Sequence, residues 1–475
     1  MQQNIQHFIK DLVLIGGGHS HAIALKMFGM NPLPGIIITL ITASSDTPYS
    51  GMLPGHIAGF YTHDDCHIDL RKLANFAQAQ LYIDYVNDID LKNNRIICAN
   101  RPDVGFDLLS IDIGSTPATI SVPGATKYVI PAKPVGNLLH HWYELVEKIS
   151  ENPQKPLKIG IVGGGAGGVE LALSMQGNLQ QYHPTNLEIH LFGRDNQLMP
   201  GNNPVLGNLL RHTLIERGIT VHLGETVCKV ALDEDIDSKN VICESGFKLN
   251  CDYVFWVTQA SAPNWLESTG ITTDERGFIL VNDYLQSLSH PQIFAAGDIA
   301  TIKNHPRAKA GVFAVRQGKP LFENLRRSLL GKNLKKYLPQ KDYLSLIGTG
   351  DGKAIATRGF LTLPPSRLLW QWKDYIDRKF MEKFDNLPKM GMGDRALGIG
   401  DWGLNNKEII QNPTTPNSSL LTPNSLSATH NSSLLTPNSS LSTPNSPCAG
   451  CGSKVGGNIL NSVLNRIQAQ SINCN

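Results

Sequence analysis

The chain has 475 residues, 41% of them hydrophobic, and a formal net charge of +2 from 42 basic and 40 acidic side chains. At about 150 residues per domain, that length suits two or three buried cores. The near balance of charge leaves no broad basic surface, which excludes nucleic acid as a partner.

The start, MQQNIQHFIKDLVLIGGGHSH, has no charged segment followed by an apolar run and a small-residue cleavage site, so it does not read as a secretory signal. No run approaches the roughly 18 apolar residues of a spanning helix. Cys66, Cys98, Cys228, Cys243 and Cys251 are scattered, and Cys448, Cys451 and Cys474 lie at the far end, which is no disulfide framework. The expected setting is the cytoplasm, with peripheral attachment to the inner face of a membrane left open.

From residue 10 to about 330, short apolar runs (DLVLIG, IIITLIT, KIGIVG, LEIHLFG, VFWVT, QIFAAG) alternate with helix-like segments. This is the pattern of parallel sheets with crossover helices, an α/β fold. The first run enters Gly16-Gly-Gly18-His-Ser-His21 and then a helix. Gly16 allows the tight turn and Gly18 lets backbone approach a pyrophosphate lying on the helix N-terminus. His21 stands where the third glycine of the dinucleotide fingerprint is usual, which leaves the close helix-strand packing there in question.

A second copy, Gly163-Gly-Gly165-Ala-Gly-Gly168-Val-Glu170, is complete and also lies between a strand and a helix. Two fingerprints about 150 residues apart imply two nucleotide sites. A third apolar strand ends in Gly297-Asp298. A carboxylate at that end of a strand can accept hydrogen bonds from a ribityl chain or cap the next helix.

Farther on, YLSLIGTGDGKAIATRG reads as two strands. Arg367 to Phe384 reads as an amphipathic helix with Leu369, Trp372, Ile376 and Phe380 on one face. That face would be buried on the core, which is the favoured reading, or on a second subunit of a homodimer, or would lie on a membrane surface. From about Asn412 to Pro447 the composition is almost entirely Ser, Thr, Asn, Pro and Leu, with SSLLTPNS at Ser418 and again at Ser432, and it reads as a flexible linker. The Cys448-Ala-Gly-Cys451 pair after it lacks two further ligands for tetrahedral zinc, and no metal site is expected anywhere in the chain.

Taken together, these pieces resemble the flavoproteins with two dinucleotide-binding domains, and more closely the type II NADH dehydrogenase branch in the form found fused to selenide, water dikinase. The likeness rests on the fingerprints and on Pro48-Tyr-Ser-Gly-Met-Leu-Pro-Gly55, His67-Ile-Asp-Leu-Arg71, Ile111-Asp-Ile-Gly114-Ser115, Phe255-Trp-Val-Thr-Gln-Ala260 and Ala310-Gly-Val-Phe-Ala-Val-Arg-Gln-Gly318. It implies two Rossmann-like domains, one inserted in the other: 1–120 with 276–335 for FAD, and 150–275 for NADH or NADPH. A C-terminal extension (336–405), a linker (410–447) and a tail (448–475) follow.

The resemblance assigns Gly16, Gly18, His21, Gly114 and Asp298 to FAD, with Pro54 and Gly55 close to the flavin. It assigns Gly163, Gly165, Gly168 and Glu170 to the nicotinamide site, and gives the helix near Gly311 the task of aiming its dipole at the flavin ring. The activity implied is electron transfer from NAD(P)H through FAD to a small acceptor, a quinone or a selenium compound. The tail looks like the start of selenide, water dikinase, with Cys451 and Lys454 at its catalytic positions and the rest of the kinase missing. The rival readings are a truncated dikinase fusion and a redox sensor that binds nucleotide without turnover.

Two features depart from the family pattern. No acidic residue is obvious at the end of either second strand, where Ala43 and Ser44, or Gly193 and Arg194, stand. NADH against NADPH is thus undecided. No close cysteine pair follows the first fingerprint, which disfavours a dithiol relay.

Overall fold

The computed structural model describes residues 9–117, 122–182, 186–233, 238–258 and 260–388. The linker, the tail with Cys451 and Lys454, and the end of the C-terminal extension lie outside the described residues.

Strand β1 (Lys10–Ile15) leads through the first glycine turn into α1 (His19–Met30), and the chain returns as β2 (Ile36–Thr42). Strands β3 (Gln80–Ile83) and β4 (Leu108–Ile111) continue the first sheet. The second sheet takes β5 (Ile130–Pro131) and β6 (Leu157–Val162), the latter running through the second glycine turn into α2 (Ala166–Leu179). It is completed by β7 (Leu187–Gly193), β8 (Ile219–Leu223) and β9 (Tyr253–Trp256). The chain then gives β10 (Ile293–Ala295) back to the first sheet and continues into α3 (Gly311–Leu329).

The strand orders are β10-β4-β1-β2-β3 and β5-β9-β6-β7-β8, and every pairing in both sheets is parallel. Leu12 lies opposite both Ile38 and Leu108, and Ile159 opposite both Ile189 and Tyr253. In each sheet the fingerprint strand is central, and the chain moves first to one side of it and later to the other. That makes the C-terminal ends of β1 and β6 topological switch points, where open α/β sheets bind ligands.

Parallel strands covered on both faces read as near-continuous apolar runs, which is why these strands are legible in the sequence. Leu12, Leu14, Leu40, Leu109, Ile159, Ile161 and Leu191 are fully buried. The Rossmann-like α/β fold expected from the sequence is the fold observed.

The extension holds three antiparallel strands, β11 (Ser345–Gly348), β12 (Ala354–Arg358) and β13 (Leu361–Ser366), followed by α4 (Arg367–Asp385). The sequence reading missed β13, which contains Pro364 and Pro365. Proline is tolerated here because β13 is an edge strand with a register shift in its pairing to β12.

Helix α4 is buried on the body of the chain, but its inner stripe differs from the expected one. Leu369, Lys373, Asp377, Phe380, Met381 and Phe384 are buried, while Trp372 and Ile376 are only partly so. The stripe follows i, i+4 spacing through a lysine and an aspartate, because these two charges satisfy each other inside.

Candidate functional site

The first cradle is organised by a residue that the sequence reading did not single out. Asp112, 2% exposed, follows β4 directly, and its backbone oxygen accepts from Gly18 N at 3.1 Å. Its carboxylate accepts from His21 N at 3.1 Å. A Cβ at Gly16 would lie 2.4 Å from the Asp112 carbonyl oxygen, at Gly18 2.3 Å from its carboxyl carbon, and at Gly297 2.3 Å from Oδ1. Gly16 (φ +92°) and Gly297 (φ +72°) also adopt left-handed backbone that favours glycine. Two segments distant in sequence, residues 16–21 and Gly297, therefore close on one residue. Burial pushes the Asp112 carboxyl up to about 7, against the pull of the His21 and Ser20 N–H groups.

His21 serves this cradle from beneath. It is fully buried, with Nδ1 2.7 Å from Gly16 O and Nε2 2.8 Å from Ser110 Oγ. The carbonyl can only accept, so Nδ1 carries the proton and Nε2 accepts from the serine hydroxyl. Close packing is found on the other side of α1, against α3. Ser20 Oγ donates to Ala314 O at 2.7 Å, and a Cβ at Gly318 would lie 2.6 Å from Ile23 Cβ.

Asp298 closes the same end of the sheet. It accepts from Lys133 Nζ at 2.8 Å and from Ser115 Oγ at 3.2 Å, and Lys133 also donates to Ser115 Oγ at 3.0 Å. Gln317 of α3 accepts from Gly297 N at 2.6 Å, which ties the Gly-Asp turn to the helix. A cleft beside Asp298 is lined by Ala300, His305, Arg307, Lys309 and Phe313. Burial lowers Lys309 to about 8.

These residues fit FAD on two observations. The Cβ side of Gly114 opens on empty space. Nε2 of His19, at the start of α1, is buried without a hydrogen-bond partner, and burial lowers this imidazole to about 4, so it is neutral near pH 7.

The second cradle follows the full glycine pattern. A Cβ at Gly163 (φ +140°) would lie 2.3 Å from Val257 O, and one at Gly168 only 1.9 Å from Gly163 O. Gly165, the N-cap of α2, has no side-chain cap and faces open space. The first-turn N–H groups of such a helix are a ready anion site, which fits a pyrophosphate. Past the end of β7, Arg194 is well exposed, and its Nε lies 3.7 Å from Asp195 Oδ2. An acidic residue thus does stand near that strand end, one position beyond the two inspected in the sequence.

Glu170 faces away from this cradle toward the extension. It accepts from Gly348 N at 3.0 Å, and burial raises its carboxyl although Lys373 opposes the shift. Gly55 packs on the extension as well, since a Cβ there would lie 2.4 Å from the Tyr61 ring and 3.2 Å from that of Trp370. Pro54 stands beside it in the short helix Leu53–Ile57. Nearby, Lys373 donates to Asp377 at 2.6 Å and to Gly51 O at 2.5 Å, and Tyr49 donates to Asp377 at 3.1 Å. The Tyr49 ring meets those of His19 and Phe380 at 5.5 and 4.6 Å. The turn after the first fingerprint, residues 48–55, holds no cysteine.

A sequence model of the pyridine nucleotide-disulphide oxidoreductases spans residues 10–318, well over half of the chain. The chain belongs to the pyridine nucleotide-disulphide oxidoreductase family. It is an oxidoreductase that uses FAD and NAD(P)H. Among relatives of this family member, ferroptosis suppressor protein 1 of Xenopus tropicalis is 26% identical over 388 residues, covering 76% of this chain and 95% of its own. Demethylphylloquinone reductase NdbB of Synechocystis sp. is 24% identical over 333 residues, covering 67% and 78%. In fold, the oxidoreductase is similar to NDH2 from Plasmodium falciparum in complex with NADH, with TM-score 0.66, 15% identity and coverage of 79% and 98%. The five cysteines among the described residues are free, and burial raises the Cys66 thiol to about 12, so this one, the first after the glycine turn, is not a thiolate near pH 7.

Proposed function

We propose that the enzyme transfers electrons from NAD(P)H through FAD to a quinone. The observation that carries this reading is the pairing of two cradles, each on the central strand of its sheet, with a turn after the first, residues 48–55, that offers Tyr49 and no cysteine. Bound FAD supplies two-electron acceptance from the nicotinamide and onward delivery to an acceptor. Gly16, Gly18, Gly114 and Asp298 hold it, His21 fixes the loop under it, and Pro54 and Gly55 position the turn beside it. Gly163, Gly165 and Gly168 hold the nicotinamide dinucleotide, and Glu170 joins the second cradle's helix to the extension by accepting from Gly348 N. The proposed boundaries are 1–120 with 276–335 for the FAD domain, 150–275 for the NAD(P)H domain and 336–405 for the extension.

A quinone takes up two protons with two electrons. Tyr49 and Lys373, both donating to Asp377, bring proton donors to α4, and the demethylphylloquinone reductase among the relatives supports this class of acceptor. Among the described residues no helix is long and apolar enough to cross a membrane, so a membrane quinone would be met from the surface, with α4 and the hairpin before it as the nearest elements. The test is NADH oxidation by the holoenzyme with a short-chain ubiquinone and a naphthoquinone. Turnover well above the oxygen background supports the reading, and none with either quinone rejects it.

The tail motif favours one second reading. Cys451 and Lys454 match the start of selenide, water dikinase, and in that context the acceptor is a selenium compound. Selenite or selenodiglutathione offered with NADH distinguishes the two, since the selenium reading requires oxidation above background with one of them.

A further inference from the structure

Away from both cradles, a tight turn brings together three side chains that the proposed electron transfer does not use. Residues Asp46–Pro48 pair antiparallel with His67–Asp69, with Asp46 opposite Asp69 and Pro48 opposite His67. Asp46 and His67 are diagonal neighbours in this ribbon and share a face. The turn Thr62–His67 folds back over that face. Asp65 builds it by accepting from Thr62 N and Oγ1 at 2.8 Å each, and Arg378 of α4 pins it through a 3.2 Å contact to Asp65. Asp46, His63 and His67 each place one ligand-capable atom within 4.8 Å of the other two.

The imidazoles are prepared to ligate. His67 Nδ1 lies 2.8 Å from His63 O, and a backbone carbonyl only accepts, so Nδ1 carries the proton and Nε2 keeps its lone pair. Metal-bound histidines are oriented in this way, the second ring nitrogen donating to a carbonyl or carboxylate. His63 repeats the arrangement, with Nδ1 3.5 Å from Asp64 Oδ1 and Nε2 3.7 Å from Asp46 Oδ2. The rings stack at 3.7 Å with 8° between their planes, so one imidazole turns out of the stack to bring both lone pairs onto a single ion.

We infer that Asp46, His63 and His67 form a binding site for a divalent transition ion, zinc above all, held by two imidazoles and one carboxylate with one coordination position left to water. Two nitrogens and one oxygen are a borderline donor set that suits zinc and cobalt and is too nitrogen-rich for magnesium or calcium. Bonds of about 2.0–2.1 Å put tetrahedral ligands about 3.3 Å apart, so the three ligand atoms, now within 4.8 Å of one another, draw together on binding. Cys66 is not a ligand. Its thiol is buried and directed at the carbonyls of Thr62 and His63. Since Tyr49 N donates to Cys66 O at 2.7 Å, the ion would clamp the ribbon that carries the Tyr49–Gly55 turn.

The test uses the FAD-loaded full chain, stripped with a chelator, desalted, and titrated with Zn²⁺ against a chromophoric chelator and with Co²⁺ in the visible region beyond the flavin bands. The expected result is one equivalent per chain with a tetrahedral cobalt spectrum, and affinity reduced at least about 10-fold in His67→Gln and in Asp46→Asn. His190→Gln, at a separate histidine pair, and Cys66→Ser leave it unchanged. The flavin content of each variant reports folding independently of metal. Binding below one equivalent, binding unaltered in His67→Gln and Asp46→Asn, or binding lost in Cys66→Ser overturns the assignment.

Discussion

The Lys373 ammonium and the Asp377 carboxylate meet at 2.6 Å inside the protein, their side chains 6% and 7% exposed. Buried pairs of this kind add little net stability over apolar residues, but breaking one strands a charge at a cost of about 3–5 kcal/mol. Lys373→Met is therefore expected to lower the urea midpoint strongly, because Asp377 loses its counter-ion and keeps only the Tyr49 hydroxyl, and Gly51 O loses its donor. The double variant Lys373→Met with Asp377→Leu should recover most of that loss. A double variant no more stable than the single one would contradict the assignment of the cost to a stranded carboxylate.

Lys133 and Asp298 form a second ion pair, more exposed, at the mouth of the first cradle. Hydrogen bonds to a charged group contribute about 1.5–3 kcal/mol, roughly 10- to 100-fold in affinity. Asp298→Ala should therefore purify with little FAD and bind added FAD at least about 10-fold more weakly, as read by quenching of flavin fluorescence. Full flavin content in this variant would remove Asp298 from the site.

Asp112 makes the apoprotein sensitive to pH in an unusual direction. Its folded carboxyl lies at about 7, above the ordinary carboxylate value of 3.8. Between those values the folded state holds a proton that the unfolded state has released, so this group's contribution to stability is complete below about 4 and declines as pH rises through 7. Asp112→Asn should flatten that decline in denaturant titrations of the apoprotein between pH 5 and pH 8, a range spanning about 7. An unchanged slope would show that the decline has another source.

Gly168 separates the two halves of the reaction. The Cβ of Gly168→Ala would lie 1.9 Å from Gly163 O, so strand and helix must part at the second cradle while the first is untouched. The variant should keep its FAD yet be reduced by NADH at least about 100-fold more slowly in stopped flow. Loss of FAD together with reduction would indicate general misfolding.

Much of this architecture is legible in the sequence because it is local. Six apolar runs became the strands they suggested, since parallel strands buried on both faces need uninterrupted apolar residues. Both fingerprints sit where strand-turn-helix grammar puts them. What stayed hidden depends on distant segments meeting. Asp112 looked like an ordinary residue after a strand until the turns at Gly16 and Gly297 closed on it. Lys373 and Asp377 lie outside the apolar face read from the sequence, Leu369, Trp372, Ile376 and Phe380, because only the fold shows that each shields the other. Asp46 lies seventeen positions before His63, and no linear spacing announces that a two-stranded ribbon brings them together.

The most direct test of the central claim is an anaerobic visible spectrum of the purified protein, recorded before and after adding NADH and, separately, NADPH. The account predicts flavin absorbance that bleaches within seconds with at least one of them and returns when a quinone is added. Protein without flavin, or flavin that neither nicotinamide reduces, would contradict it.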